Sequence, residues 1–370
     1  MALPKSVNKI LQFILFTGIG ALILFLVYRS QNSAYVADCA LKNIPKESCS
    51  LFQKLKTDFS EANYYWIAVI VFAYLLSNLI RAHRWLMLIK TLGRKGSIVN
   101  AFFTIMVGYF ANMGLPRVGE VVRAGLFARY EGIGPEKVMG TIVVDRILDL
   151  LSLLFAIILV LILQGNVLFN YFGDRIGNSV FGKSWLYIVL VLFILFLFLA
   201  YWYRRVIKRW SLYQRIHHLV EGFRDGLRSL RRVEKPWLLL LDTVAIWLMY
   251  YLMMFLAFQS FGPTRELGAM AGLMVFVFGG LGVVFPSPGG MGTFHVMVIS
   301  ALAIYGIHGD DAFSFANIQF FSIQLFGTLL WGIIGMIVLP LYNKKDKLHV
   351  PYYPPGRKQD IRPRSDEETL

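Results

Sequence analysis

Long apolar runs alternate with short charged stretches along this chain, and the runs are too long to be strands or helices of a soluble core. A bilayer core about 30 Å thick takes about 20 apolar residues per helix. Runs of that length predict membrane spans near 8–27, 63–80, 140–163, 184–203, 237–261 and 318–340. Two further apolar stretches do not fit so simply. The first, 98–115, is short and ends in Asn112, Gly114 and Pro116. The second, 268–307, is interrupted by FPSPGGMGTF, residues 285–294, whose prolines and glycines would break a continuous helix.

Basic residues in short loops orient the spans, because cytoplasmic loops carry the excess of Lys and Arg. Arg81, Arg84, Lys90, Arg94 and Lys95 follow the second span, a basic block runs from Arg204 to Lys235, and Lys344, Lys345 and Lys347 follow the last. All read as cytoplasmic. Lys5 and Lys9 precede the first run, which is longer than the apolar region of a signal peptide and is closed by Tyr28 and Arg29 without a small-residue cleavage site. It is expected to be a retained helix, with both termini of the protein in the cytoplasm.

This orientation constrains the two difficult stretches. The loop holding Arg117, Arg123, Arg129 and Lys137 must also be cytoplasmic, so 98–115 enters from the cytoplasm and returns to it. Asp310 and Asp311 fit the exterior, so 268–307 enters from outside and returns there. The expected fold is an all-α polytopic integral membrane protein of about eight membrane segments, with two opposed re-entrant helical hairpins forming an inverted repeat. A kinked helix, or a tight inner turn between two full spans, is the alternative for 268–307. Irregular backbone is tolerated at membrane depth where it is buried in protein or lines a water-filled cavity. Secondary transporters place paired Gly/Pro-interrupted segments at such a site. The membrane domain is expected over 1–343, with a basic amphipathic segment at 203–235, and 344–370 reads as a disordered cytoplasmic tail.

Composition agrees with this class. The 370 residues are 57% hydrophobic and 16% charged, against about 25% charged in soluble domains. The net charge of +15 gathers largely in 203–232, where Trp210, Leu212, Ile216, Leu219, Phe223 and Leu227 are interleaved with basic residues. That stripe suits an anionic cytoplasmic leaflet; joined directly to membrane spans, it does not read as a nucleic-acid surface. Cys39 and Cys49 lie in the exterior loop, where they could pair or remain two free thiols. The histidines and cysteines show no metal-ligand spacing, and no nucleotide loop, zinc-protease or serine-nucleophile motif occurs. No cofactor or metal is expected.

The candidate chemistry lies in two stretches. In ANMGLPRVGEVVRAGLFARY, residues 111–130, Glu120 and Arg123 share a helix face. In TIVVDRILDLLSLLF, residues 141–155, Asp145 and Asp149 flank Arg146, and Asp149 lies about 15 Å into its helix. Each such charge costs roughly 2.5–3.5 kcal/mol at a helix centre, while an apolar residue returns only about 0.3–0.6 kcal/mol. These side chains should therefore face the protein interior, with Arg117 and Arg123 as their expected partners. Arg81 and Arg84 are expected to snorkel at the cytoplasmic end of the second span. One reading of the cluster is a structural ion-pair network. The other is an anion site, since the guanidinium fork suits phosphate, a helix starting after a Gly/Pro break presents free N–H groups, and glycines at 289, 290 and 292 would admit a close approach.

The run NMGLPRVGEVVR, followed by VDRILD and later by FPSPGGMGTFH, resembles the flippase-like family named for the lysylphosphatidylglycerol synthase transmembrane region. The resemblance covers about residues 8–340 and extends to the membrane half of the multiple peptide resistance factor, which moves aminoacylated phosphatidylglycerol between leaflets. It implies a substrate-binding set of Asn112, Pro116, Arg117, Gly119, Glu120, Arg123, Asp145, Arg146, Asp149, Pro288, Gly289, Gly290 and Gly292. His295 belongs to the same set, at a position often Glu in the family, and Asp145-Arg146 replaces a common Glu-Arg pair. The soluble aminoacyl-transferase domain of bifunctional members has no counterpart here, so aminoacyl transfer is not expected on this chain.

The resemblance implies a lipid flippase or transporter in the cell membrane, moving a lipid with an anionic phosphate headgroup through a polar cavity. The alternatives are a membrane-embedded lipid-phosphate or glycosyl-lipid transferase, and a non-catalytic partner subunit of a lipid-modifying enzyme. Expected partners are phospholipids or polyprenyl-phosphate-type lipids, the anionic leaflet, and either a second copy of the chain or a lipid-modifying enzyme.

Overall fold

The computed structural model describes residues 49–115, 117–176, 233–285 and 287–344, together with some helical residues between 22 and 39. Most of the expected span 8–27, the span 184–203, the basic segment as far as Arg232 and the tail from Lys345 lie outside the described residues. Among the described residues the chain is helical and contains no strand.

The helices are α1 (Leu51–Glu61), α2 (Tyr64–Lys90), α3 (Ile98–Gly114), α4 (Val118–Glu131), α5 (Pro135–Ile176), α6 (Pro236–Ala257), α7 (Ala269–Val284), α8 (Thr293–Ala303), α9 (Gly309–Phe321) and α10 (Leu330–Tyr342). A π-helical stretch, Ser322–Leu329, joins α9 to α10. Four stretches are long and apolar enough to cross a membrane: Tyr64–Lys90, Pro135–Tyr171, Pro236–Ser260 and Gly309–Tyr342. Their outer faces present Phe72, Phe155, Ile162 and Trp237, the reverse of a water-soluble surface. At 1.5 Å per residue, the 17 residues of α3 and 16 of α7 rise only about 25 Å, short of a full crossing.

Hydrogen bonds establish the direction of each element. Asn63 N donates to Ser260 O at 2.9 Å, while His83 Nδ1 lies 2.7 Å from Asp242 Oδ2, so α2 and α6 are antiparallel. The α3–α4 hairpin leaves from the His83 end and returns there, because Glu131 at the end of α4 accepts from Ser97 N at 2.9 Å and Asn100 Nδ2 at 2.8 Å. The α7–α8 hairpin leaves from the Ser260 end and returns there, because Tyr305 after α8 donates to Gln164 and Met270 O beside the start of α7. The order long helix, short helix, short helix, long helix therefore occurs twice with opposite direction. These are two opposed hairpins of an all-α polytopic membrane protein, but the first is longer than the expected 98–115. That stretch is one leg only, and Arg117, Arg123 and Arg129, expected in a cytoplasmic loop, lie at the tip and on the second leg.

Each hairpin is closed by specific contacts. Gly108 and Gly119 let α3 and α4 cross almost backbone to backbone, since a Cβ on Gly119 would fall 2.0 Å from the Gly108 carbonyl oxygen. Asn112 Oδ1 accepts from Gly119 N at 2.7 Å and caps α4 across the break. In the second hairpin the Thr293 hydroxyl lies 2.7 Å from Gly282 O, 3.2 Å from Gly290 O and 2.9 Å from Ser287 Oγ, holding the turn onto α7.

The Ser260 end carries two further fastenings. Cys39 and Cys49 form a disulfide. Lys54 on α1 is 3.1 Å from Asp58, 3.3 Å from Asp310 and 3.0 Å from Asp311, and Asp58 also accepts from the Ser314 hydroxyl, so α1 is tied to the start of α9. The long helix α5 departs from helical geometry at Gln164, whose amide donates to Met270 O at 2.9 Å.

Candidate functional site

The charged cluster is organised from α2. Arg81 and Arg84, three residues apart and therefore on one face, are 2% and 0% exposed. Arg84 Nη2 lies 2.6 Å from Asp145 Oδ1 and 2.8 Å from Asp149 Oδ1. Arg81 Nη1 lies 2.6 Å from Asp149 Oδ2 and 3.4 Å from Asp145 Oδ2, and its Nη2 donates to Tyr250 OH at 3.1 Å. The expectation that both arginines snorkel at an interface is therefore wrong. α2 continues through Trp85, Leu86, Met87, Leu88 and Ile89 to Lys90, so Arg81 and Arg84 sit inside the apolar length of the helix. That run beyond the arginines was the sequence signal for their burial.

The expected partners, Arg117 and Arg123, play a smaller part. Arg123 reaches Asp145 at 3.4 Å while its guanidinium stacks on Trp85, 3.8 Å from the ring centroid. Arg117 is exposed and forms no ion pair among the described residues. Its backbone occupies the left-handed region, with φ 67°, where the chain turns between α3 and α4. Arg146 pairs with Glu120 at 3.2 Å and Asp149 at 3.4 Å. Asp145, with no exposed surface, is thus surrounded by Arg81, Arg84 and Arg123. Breaking such a buried set costs about 3–5 kcal/mol, because an uncompensated charge remains.

Above this layer lies a cavity of about 570 Å³. Its charged wall is Arg81, Arg117, Glu120, Arg146 and Asp149, and its remaining polar wall includes Tyr74, Tyr109, Asn112, Tyr250, Gln319, Gln324 and Thr328. Ser287, Gly289 and Gly290 bring in the tip of the α7–α8 hairpin, opposite Asn112 and Arg117 at the tip of the α3–α4 hairpin. The π-helical stretch supplies Gln324, whose amide donates to Gly289 O at 2.7 Å. A side chain on Gly289 would meet that amide at 3.2 Å in a φ of +58° that L residues rarely adopt. Single π turns inside α-helices recur at functional sites.

Of the residues expected at the site, Asn112, Arg117, Glu120, Arg146, Asp149, Gly289 and Gly290 line the cavity. Asp145 and Arg123 stand behind it in the ion-pair layer. Gly119 is taken up in the close crossing with Gly108, and its N–H is already occupied by Asn112, so it is not a free donor. Pro116 lies outside the described residues. Pro288, Gly292 and His295 are not on the wall. The His295 ring is buried among Phe294, Phe313 and Phe320, with centroids 5.9, 6.5 and 4.8 Å away. Sequence reasoning did not single out Tyr74, Tyr250 and Gln324, because a tyrosine or glutamine in an apolar run carries no spacing signal.

The comparisons with known proteins agree with this architecture. Over 84 residues the chain is 33% identical to a UPF0104 membrane protein of Methanocaldococcus jannaschii, a match covering 22% of this chain and 25% of that relative. The chain thus spans about a quarter of the length of that curated relative. No solved structure matches it. The family model described as the lysylphosphatidylglycerol synthase TM region matches residues 50–332, a stretch that contains both hairpins, the ion-pair layer and the cavity, and the chain belongs to that family.

Proposed function

We propose that the protein is a lipid flippase that passes a phosphate-bearing headgroup through the cavity while the acyl chains stay outside the bundle. The observation that carries this reading is the meeting of two oppositely directed hairpin tips on one arginine-lined cavity. Val283, Val284 and Phe285 at its rim are each more than half exposed, which supports a mouth facing lipid. Arg117, Arg146 and Arg81 bind the headgroup anion by charge-assisted hydrogen bonds. Glu120 and Asp149 hold Arg146 and Arg81 in place until the anion arrives, and Asp145, Arg84 and Arg123 form the base on which they rest. The two hairpin tips act as gates, one for each leaflet, in the manner of alternating access about a fixed midplane site.

In this proposal the protein resides in the cell membrane, with the basic His83 end cytoplasmic and residues 1–343 as one membrane domain followed by a cytoplasmic tail. The test is a leaflet-transfer assay with fluorescent phosphatidylglycerol in proteoliposomes, comparing wild type with Arg117→Gln and Arg146→Gln. Each variant loses a charged hydrogen bond worth about 1.5–3 kcal/mol, so transfer should slow by about tenfold or more. Wild-type rates in a folded double variant would overturn the proposal.

A further inference from the structure

The charges around the cavity do not balance. Among the described residues, Arg81, Arg84, Arg123 and Arg146 are set against Asp145, Asp149 and Glu120, which leaves one positive charge in this cluster. Arg117 adds a second at the mouth. The nearest further carboxylate on the facing helix, Asp242, is turned to His83 at 2.7 Å and takes no part.

Unfilled hydrogen-bonding capacity agrees with the excess. The Nε groups of Arg81, Arg123 and Arg146, and Nη2 of Arg123, are enclosed yet have no hydrogen-bond partner among the described residues, although Arg81 and Arg146 both line the cavity. Glu120 Oε2 is an acceptor left open beside them, suited to a ligand hydroxyl. Uncompensated charge at membrane depth is unfavourable unless something pairs with it. A singly charged phosphodiester would neutralise half of the excess, whereas a doubly charged group would neutralise all of it.

We infer that the cavity is built for a lipid headgroup carrying two negative charges on phosphorus, a phosphate monoester or a diphosphate diester, in preference to a singly charged phosphodiester. This rests on the cavity being the headgroup site proposed above. The monoester supplies its two charges on one phosphorus, being largely dianionic near neutral pH. The diphosphate diester carries them on two adjacent phosphorus atoms and could bridge Arg117 at the mouth to Arg146 within.

The experiment is native mass spectrometry of the full-length protein in an equimolar mixture of dioleoyl phosphatidate, dioleoyl phosphatidylglycerol and a polyprenyl-diphosphate monosaccharide. At least one of the two dianionic lipids should be retained about tenfold more than phosphatidylglycerol, and the better retained of the two names the source of the charge. In Arg117→Gln, which removes one of the two excess charges, the preference should fall to within about threefold. Equal retention of all three by wild type overturns the charge assignment while leaving a headgroup site in place. An unchanged preference in folded Arg117→Gln overturns it too. Retention of none removes the headgroup site and the charge assignment together.

Discussion

Arg84 and His295 are both buried polar residues within apolar sequence, and their surroundings separate them. Arg84 engages Asp145, Asp149 and Thr243, whereas His295 is packed against three phenylalanine rings and contributes no cavity surface. Charge predicts the difference in behaviour: a guanidinium at membrane depth has to be paired, while a neutral imidazole tolerates an aromatic setting. Arg84→Met leaves Asp145 without its closest partner and should destabilise the protein by about 3–5 kcal/mol, measured as reduced thermal stability in detergent. If Arg84→Met, Asp145→Asn recovers much of that loss, the pair is structural at this point. No recovery would mean that Asp145 is held mainly by Arg81 and Arg123.

At the scale of elements, the hairpins depend on close approach rather than on long apolar faces. Gly119 is the clearest position, because a Cβ there would overlap the Gly108 carbonyl oxygen and the Asn112 side chain that caps α4. Gly119→Ala must push α4 away from α3, and overpacking of this kind costs about 1–3 kcal/mol. Since α4 carries Arg117, Glu120 and Arg123, the same substitution should weaken lipid retention in the native mass-spectrometry measurement. Retained lipid at wild-type level would show that α4 can move without disturbing the cavity. The second hairpin was legible from the sequence, because the break at 285–292 divides 268–307 into two legs. The first was legible only as a re-entrant element, since its expected bounds, 98–115, prove to be a single leg, Ile98–Gly114. The return leg is Val118–Glu131, whose arginines read in the sequence as a cytoplasmic loop. The π-helical stretch was not legible: nothing in SIQLFGTL distinguishes an i+5 hydrogen-bond pattern from an ordinary α-helix, and only packing against Tyr74 and the Gly289 turn selects it.

For the whole molecule, the Ser260 end is held by the Lys54 cluster as well as by the disulfide. Burial alone would lower the Lys54 pKa, but hydrogen bonds and charge from Asp311 and Asp58 outweigh it and raise the group well above the ordinary lysine range. A raised folded-state pKa contributes stability that is complete below the unfolded value of about 10.4 and is lost only as pH climbs through the folded one. Lys54→Met should therefore destabilise the protein by about 1 kcal/mol to the same extent at every pH between about 6 and 10, measured by thermal unfolding in detergent. A deficit that shrinks within that window would place the contact's energy elsewhere. The sequence by itself determined the all-α membrane class and the presence of two short, Gly/Pro-interrupted re-entrant elements, because these follow from run length and Gly/Pro position, which are local along the chain. Only the structure showed that the first hairpin extends over Ile98–Glu131. It also determined that Asp145, Arg146 and Asp149 face inward, since lipid would not accept them. Only the tertiary structure decided that Arg81 and Arg84 are their main partners, that Arg117 makes no ion pair among the described residues, and that His295 lies off the cavity wall. Ion pairing joins residues more than sixty positions apart, and any of several arginines could have satisfied the same carboxylates until helix packing brought α2 against α5.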